Sequence, residues 1–158
     1  MGARAQLFRY IHWWRVRAPE RDTRPTMSQE NLDLSLQAAD AFNLRDLAAF
    51  LALQAEDVEG IPLASDMEGG YHGHGGLRRW WAAQFDAFPD LTIEVVGISD
   101  PHDLTIAELR MRGHSASGAV PVNMTIWRGS RWRDRQCVWW GSFRNEEDAL
   151  EATRLSQR

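Results

Sequence analysis

The segment 104–114 alternates between apolar and polar residues, and this two-residue period constrains the fold more than any other feature of the chain. Side chains along a strand point alternately to the two faces of a sheet, so the alternation predicts a strand with one apolar and one charged face. The apolar face carries Ala107, Leu109 and Met111, and the polar face carries Glu108, Arg110, Arg112 and His114. Segments 91–99, 119–133 and 136–143 also have strand character and adjoin it through short connections, which predicts one antiparallel sheet.

Helices are predicted on both sides of this strand-rich region. The first helix follows the N-cap residue Ser28, and a second short helix is capped by Asp46 and ends at Leu53. A short strand at 57–61 precedes a third helix at 77–88, and a last helix covers 146–155. Because helices and strands are segregated along the chain, the predicted fold class is α+β with one curved antiparallel sheet.

Composition limits the functions that the chain can have. Its 158 residues suffice for one domain, 44% of them are hydrophobic, and no run reaches the roughly 18 apolar residues of a membrane span. The single cysteine, Cys137, has no partner for a disulfide or a zinc site, so we interpret it as a buried, inert thiol. These features predict a cytoplasmic protein in a reducing compartment, with no membrane partner.

Charge is unevenly distributed along the chain. Residues 1–26 carry six Arg and two acidic residues, whereas residues 27–158 carry twelve Arg and twenty acidic residues. We interpret 1–26 as a basic extension, disordered or the product of a misassigned start, with Met27 as the natural first residue; a membrane-surface helix is the alternative. The predicted domain is therefore 27–158, and its acidic character argues against a nucleic-acid partner.

A glycine-rich loop is predicted at 62–76, between the short strand and the third helix. It exceeds the usual length of about 4–6 residues, and long loops are more often functional. It contains Asp66, Tyr71, His72 and His74. The two histidines have no third ligand at a suitable spacing, so no metal is predicted. The chain also lacks a phosphate-binding loop and a dinucleotide fingerprint, so no cofactor is predicted.

Several short motifs occur in an order that resembles a known family. They are Ala41-Phe42-Asn43-x-x-Asp46-Leu47, Asp57-Val58-Glu59, Tyr71-His72-Gly73-His74, Arg78-Arg79-Trp80-Trp81, Phe88-Pro89-Asp90 and Phe143-x-Asn145-Glu146-Glu147. Over residues 29–155 the pattern resembles the SnoaL-like polyketide cyclase family of the nuclear transport factor 2-like superfamily. The resemblance implies a cone-shaped fold, in which a curved antiparallel sheet wraps around three N-terminal helices and leaves a central pocket. It also implies a homodimer formed through the outer face of the sheet.

The resembling family contains cyclases, ketosteroid isomerases, epoxide hydrolases and non-catalytic binding modules, so the fold alone does not define the chemistry. An isomerase needs a carboxylate base, which in the family follows the Val-Glu of the first strand; here that position is Gly60. The matching acid is expected on strand 119–133, which contains no Asp or Glu. Epoxide hydrolysis in the family uses an Arg-x-Asp pair, and this chain has Glu108-Leu109-Arg110 instead. Neither mechanism is predicted.

A cyclase reaction requires fewer catalytic groups than these two mechanisms, because one acid/base group and an apolar cavity that folds the substrate are sufficient. The candidate catalytic residues are His74, His114, Glu59 and Asp66. For His74 the structural alternative is a ring that hydrogen-bonds the backbone, and for His114 it is a solvated strand end. Both alternatives stay open at this point.

The pocket lining is predicted mainly from aromatic residues. It comprises Tyr71, Trp80, Trp81, Arg112, Trp127, Trp139 and Trp140. Neighbouring residues point about 100° apart on a helix and to opposite faces on a strand, so each Trp pair can direct one ring inward. Arg112 belongs to the lining only if the polar face of segment 104–114 points to the interior. For Tyr71 the alternative is a structural role at the edge of the hydrophobic core. Many flat rings favour a small, apolar, polycyclic or terpenoid-like ligand.

Two functions therefore remain open from the sequence. One is an acid/base cyclase or isomerase-type enzyme acting on such a molecule. The other is a non-catalytic ligand-binding or dimerisation module whose pocket is partly filled by its own rings. An open pocket with His74 or His114 pointing into it, beside a second polar group, would favour the enzyme.

Overall fold

The computed structural model describes residues 27–63, 70–100 and 104–156, with side chains from residue 29 onward. The proposed extension 1–26 and the candidate Asp66 lie outside the described residues. Four helices are described: α1 (Met27–Asn43), α2 (Leu47–Ala52), α3 (Gly73–Ala87) and α4 (Glu146–Leu155). α1 begins one residue before the expected cap Ser28, and α3 begins four residues earlier than predicted.

The predicted cap of the second helix is confirmed. The Asp46 carboxylate accepts a hydrogen bond from the backbone N–H of Ala49 at 3.0 Å, which satisfies one of the amides that a helix leaves unpaired at its N-terminus. Asn145 caps α4 in the same way through the N–H of Asp148 at 2.8 Å. Each cap fixes where its helix starts and therefore how the neighbouring strand is aimed.

Six strands form one curved sheet. They are β1 (Gln54–Ile61), β2 (Tyr71–His72), β3 (Thr92–Ser99), β4 (Leu104–His114), β5 (Pro121–Arg133) and β6 (Gln136–Phe143), in the spatial order β2-β1-β6-β5-β4-β3. All neighbouring pairs are antiparallel except β1 with β6, which is parallel. The α+β fold class is confirmed, and the parallel pair is an addition to it. No hairpin joins β1 to β6, so no local turn imposes an antiparallel direction on them.

The structure shows which face of β4 points to the interior, which the alternation of its residues does not determine. Ala107, Leu109 and Met111 face the interior, on the side of α1 and α3, where they line a cavity. Glu108, Arg110, Arg112 and His114 consequently lie on the opposite, outer face of the sheet. The outer face of β5 and β6 is covered by α4: a Cβ on Gly129 would meet the Ala149 carbonyl at 3.1 Å. Glycine at 129 therefore allows the helix to approach the sheet closely.

Aromatic rings form the core between the helices and the sheet. Phe42 of α1 lies 5.5 Å from Trp81 of α3, measured between ring centroids, and Phe50 of α2 lies 5.1 Å from the same ring. Trp80 lies 5.0 Å from Trp140 of β6, which joins α3 to the sheet. These spacings are typical of packed aromatic pairs, and they close the interior at the α2–α3 side. The remaining space between α1, α3 and the sheet is the cavity.

Candidate functional site

A cavity of about 440 Å³ lies between the inner face of the sheet and helices α1–α3. This volume falls within the roughly 300–1,000 Å³ of small-molecule sites in proteins. The lining is mainly apolar and aromatic, and each of the strands β3–β6 contributes residues to it. The predicted rings thus leave an open interior rather than filling it.

One end of the cavity is apolar, and we call it the apolar end. It is lined by Ile93, Leu109, Met111, Val122, Met124 and Ile126. The β4–β5 register places Leu109 beside Ile126 and Met111 beside Met124, so these side chains form a continuous wall. Met124 is 37% exposed, which places it at the rim, where a ligand can enter. Such a wall can hold a flat or branched hydrocarbon but gives it no fixed orientation.

The other end carries polar side chains from adjacent strands, and we call it the polar end. It is lined by Gln54, Thr105, Arg128, Ser130 and Ser142. The strand register pairs Thr105 with Ser130 and Arg128 with Ser142, so their side chains are neighbours on the inner face. Thr105 also accepts a hydrogen bond from the Trp132 indole N–H at 2.9 Å. A few fixed polar groups in an apolar cavity are the usual means of orienting a ligand.

Arg128 is the one charged side chain among the described lining residues. Its Nε–H donates to the Ser142 hydroxyl at 2.8 Å, and its guanidinium carbon lies 4.2 Å from the centre of the Trp140 ring. Burial lowers the pKa of Arg128 to about 10, so the group remains protonated at neutral pH. No described carboxylate forms an ion pair with it. The cavity therefore contains a positive charge that its described surroundings do not neutralise.

Three further polar groups of the lining have no hydrogen-bond partner among the described residues. They are Oε1 of Gln54 and the indole nitrogens of Trp80 and Trp140. Gln54 is only 2% exposed. Because buried polar groups are nearly always paired, such atoms mark places where a ligand group or water completes the bonding. The polar end can thus both donate and accept hydrogen bonds.

Cys137 lies at the polar end but is not a nucleophile. Burial raises the pKa of its thiol to about 12, and its Sγ lies 3.2 Å from the Trp139 carbonyl oxygen, to which the thiol donates. A thiol with so high a pKa is not ionised near neutral pH, and the thiolate is the reactive form. The interpretation of Cys137 as buried and inert agrees with this geometry.

The predicted pocket residues divide into two groups. Tyr71, Trp80 and Trp140 line the cavity. Trp81 is buried behind Trp80 in the aromatic core, and Trp139 points from β6 to the face opposite Trp140. Trp127 and Arg112 also lie on outer-face positions of their strands and are not part of the lining. Each adjacent pair among the described tryptophans therefore gives one ring to the cavity, Trp80 and Trp140.

His74 does not line the cavity, but it hydrogen-bonds the backbone of Gln54, which does. It lies in the first turn of α3, where its Nε2 is 2.8 Å from the carbonyl oxygen of Gln54, to which the ring donates. This is the backbone hydrogen bond that the sequence left as the alternative for His74. The bond ties the start of α3 to the start of β1 and so fixes the backbone from which the Gln54 amide enters the polar end.

The two other described catalytic candidates, His114 and Glu59, also lie away from the cavity. His114 is exposed at the end of β4, where its backbone N–H and its Nδ1 approach the two carboxylate oxygens of Asp90 at 2.6 and 2.8 Å. These hydrogen bonds lower the pKa of Asp90. Glu59 lies on β1 between the inward residues Val58 and Gly60 and is not in the lining. The structure thus brings none of His74, His114 and Glu59 together at one point.

The sequence reasoning missed Arg128, Gln54, Thr105 and the two serines. A signal for Arg128 was present, since Val122, Met124, Ile126, Arg128, Ser130 and Trp132 alternate along β5 with the same parity. An arginine on the otherwise apolar face of a strand is unusual, because charged side chains are rarely buried unless paired. That parity predicts an inward charge without requiring any comparison with a family.

Other classes of site are not found in the described part of the chain. Residues 27–63, 70–100 and 104–156 hold no group of three His, Cys, Asp or Glu side chains that could bind a metal ion. No helix within the same ranges has both the length and the apolar character needed to cross a membrane.

The curved sheet, helices α1–α3 and the cavity between them define a class of protein, the cone-shaped α+β domains with the fold of the nuclear transport factor 2-like and ketosteroid isomerase-like proteins. The profile of the SnoaL-like domain family matches residues 36–144, and the chain belongs to this family. The family predicted from the motifs is therefore confirmed.

Solved structures share this fold. Wild-type IdmH from Streptomyces antibioticus, a candidate polyketide cyclase, is 26% identical, with a TM-score of 0.62 over 76% of this chain and 97% of that one. A candidate SnoaL-like polyketide cyclase from Jannaschia sp. CCS1 is 16% identical, with a TM-score of 0.67 over 86% and 97% of the two chains. TerC, co-crystallised with polyporic acid, is 16% identical, with a TM-score of 0.66 over 79% and 98%. No curated protein matches the chain at a significant level.

Proposed function

We propose that this SnoaL-like domain binds a small, mainly apolar molecule in the cavity between its sheet and helices α1–α3. The observation that carries the proposal is the combination of an open interior of about 440 Å³ with one apolar and one polar end. An apolar wall supplies affinity, and a few polar groups at one end fix the orientation of the bound molecule. The proposal needs no metal or cofactor.

Turnover of cyclase type is the second candidate, favoured by the 26% identity with IdmH. A ring closure needs a group that exchanges a proton near neutral pH. The titratable side chains in the described lining are Tyr71, Arg128 and Cys137, and none of them is a carboxylate or an imidazole. The described residues therefore support a binding function more strongly than a catalytic one. Asp66 stays a prediction for the acid/base role.

Binding can be tested with uncharged planar probes and intrinsic tryptophan fluorescence. Trp80 and Trp140 line the cavity, so 2-naphthamide or 9-anthracenecarboxamide should change their emission and raise the midpoint of thermal unfolding. The substitution Ala107→Trp puts a large ring into the cavity and should abolish both effects. Glu108→Trp adds the same ring at the next position, on the outer face, and serves as the matched control.

The result expected is saturable binding to the native protein and to Glu108→Trp but not to Ala107→Trp. No binding by any neutral or acidic planar probe would contradict the proposal. Equal binding to both tryptophan variants would place the probe outside the cavity and would contradict it as well.

A further inference from the structure

We propose that the molecule bound in the cavity carries an anionic oxygen, as a carboxylate, enolate or phenolate, on a flat apolar frame, and that Arg128 binds this oxygen. The inference rests on the proposed function, since it names the chemical class of the ligand of the same cavity. Arg128 is a half-buried side chain that lines the cavity at its polar end, and no described carboxylate forms an ion pair with it.

Keeping the Arg128 guanidinium charged and unpaired in the cavity costs free energy. A desolvated charge without a partner is strongly unfavourable in a protein interior. The arginine ion pairs of the described chain lie instead at the surface: Arg133 meets Asp57 at 3.0 Å, Arg110 approaches Glu94 at 3.9 Å, and Arg135 pairs with Glu30. The Ser142 hydroxyl and the Trp140 ring solvate the Arg128 guanidinium only in part. A charge kept inside a cavity in this state is best explained by a ligand that neutralises it.

Two neighbouring side chains already hold the guanidinium of Arg128. The Nε–H of Arg128 is already engaged by Ser142 at 2.8 Å, and the Trp140 ring lies 4.2 Å from the guanidinium carbon. Together these two contacts fix the plane of the guanidinium. Neither terminal nitrogen donates to a described residue, so both remain available. Two parallel N–H groups in a fixed fork match the two oxygens of a carboxylate, or adjacent oxygens on a conjugated ring.

The lining around Arg128 indicates the shape and polarity of the rest of the ligand. Trp140, Trp80 and Trp132 line the cavity around the polar end, and aliphatic side chains continue the wall to the rim at Met124. A flat conjugated frame can lie against such rings while its oxygen reaches Arg128. The unpaired amide oxygen Oε1 of Gln54 can then accept a hydrogen bond from a second polar group, such as a hydroxyl.

The overall charge of the chain does not favour anionic ligands. The chain has a formal net charge of −4, so its overall field repels anionic molecules. A preference for an acid over its neutral amide must then arise locally. Within the described lining, Arg128 is the group that can produce it.

The experiment compares 2-naphthoate with 2-naphthamide by isothermal titration calorimetry at pH 7, using the full chain. The two probes have the same frame and differ in charge. The native protein should bind 2-naphthoate at least about tenfold more tightly than 2-naphthamide. Arg128→Met should lose this preference and retain its affinity for 2-naphthamide. Arg128→Lys keeps a charge without the fork and should show an intermediate preference.

Arg133→Met removes an exposed arginine and is the control, because it changes the net charge by the same amount and should leave the preference intact. Equal affinity of the native protein for the two probes would overturn the anion proposal and leave the proposed function standing. A preference that survives in Arg128→Met would also overturn it, even if the protein binds both probes well. Binding of neither probe would count against the proposed function itself. The comparison of acid with amide in the native protein keeps the test valid if Arg128→Met fails to fold.

Discussion

The indole of Trp140 fills the space into which a side chain at position 60 would project. A Cβ built on Gly60 would lie 2.5 Å from Cε2 of Trp140, closer than side-chain carbons approach. The family resemblance assigns the carboxylate base of an isomerase to position 60. The chain therefore lacks that base and has also filled its place with a ring that contacts Arg128 at the polar end.

Replacing Gly60 by alanine should destabilise the domain. The added methyl must displace Trp140, and forcing extra volume into a packed site typically costs about 1–3 kcal/mol. Urea unfolding should show this loss. Gly75→Ala is the control, because a Cβ there has only a distant contact, 3.9 Å from the tip of Arg79, and alanine favours a helix. Equal stability of the two variants would mean that Trp140 is not held where the structure places it.

Removing the His74 ring should affect stability, not proton transfer. His74→Ala loses the hydrogen bond to the Gln54 carbonyl and should lower the free energy of unfolding by about 1 kcal/mol. The neighbouring His72 is exposed and makes no side-chain cap, so His72→Ala should stay within about 0.5 kcal/mol of the native protein. Chemical denaturation of both variants measures the difference. If His74→Ala were as stable as His72→Ala, the bond would not hold β1 to α3.

Cys137 should make the fold sensitive to alkaline pH. Its pKa is raised by burial to about 12, above the ordinary value of 9.0, so between these values the unfolded chain loses a proton that the native chain keeps. The stabilisation is complete below pH 9 and declines as the pH rises, by about 1.4 kcal/mol per unit. Arg128 acts in the opposite direction, because its pKa is lowered, but it is present in both proteins that are compared.

The comparison is urea unfolding of the native protein and of Cys137→Ala at pH 8 and pH 10. The native protein should lose about 1.4 kcal/mol more than the variant between the two values. The small cavity that the substitution leaves shifts the variant equally at both pH values. Rapid alkylation of the native thiol by iodoacetamide at pH 8 would contradict its burial.

The sequence predicted most elements of the fold because their signals are local. The alternation of residues 104–114 and the cap at Asp46 depend only on neighbouring residues, and both are confirmed. The parallel pairing of β1 with β6 depends on contacts between distant segments, such as Gly60 with Trp140, so no local pattern encodes it. The two-residue strand β2 is too short to have a period at all.

The site was predicted less completely than the fold, for a physical reason. The sequence predicted that each adjacent Trp pair can direct one ring inward but not which ring, and the structure places Trp80 and Trp140 in the lining. The polar candidates were chosen because histidine commonly exchanges protons in enzymes. This criterion selected His74 and His114, which lie outside the cavity lining, and not Arg128 on β5. Whether Arg112 or Arg128 faces inward depends on which side of the sheet the helices cover, and that is a property of the whole fold.

Arg128→Met should leave the unliganded domain as stable as the native protein or more stable. The substitution removes a half-buried charge that no described carboxylate pairs, and even the replacement of a buried ion pair by apolar residues of similar size is often neutral or stabilising by about 1–4 kcal/mol. The lost contacts are one hydrogen bond to Ser142 and the approach to the Trp140 ring, each worth about 1 kcal/mol. Residues that serve binding rather than folding commonly show this pattern.

Thermal and urea unfolding of Arg128→Met, beside Arg133→Met as an exposed control, measure the effect. The control loses only a surface ion pair with Asp57 and should change by less than about 1 kcal/mol. Adding 2-naphthoate should raise the unfolding midpoint of the native protein and of Arg133→Met but have little effect on Arg128→Met. A loss of stability well above that of the control, with no change in the response to 2-naphthoate, would show that Arg128 supports the fold and not a ligand. Unchanged or higher stability of Arg128→Met, together with a lost response to 2-naphthoate, would mean that the Arg128 charge serves ligand binding at a cost to folding stability.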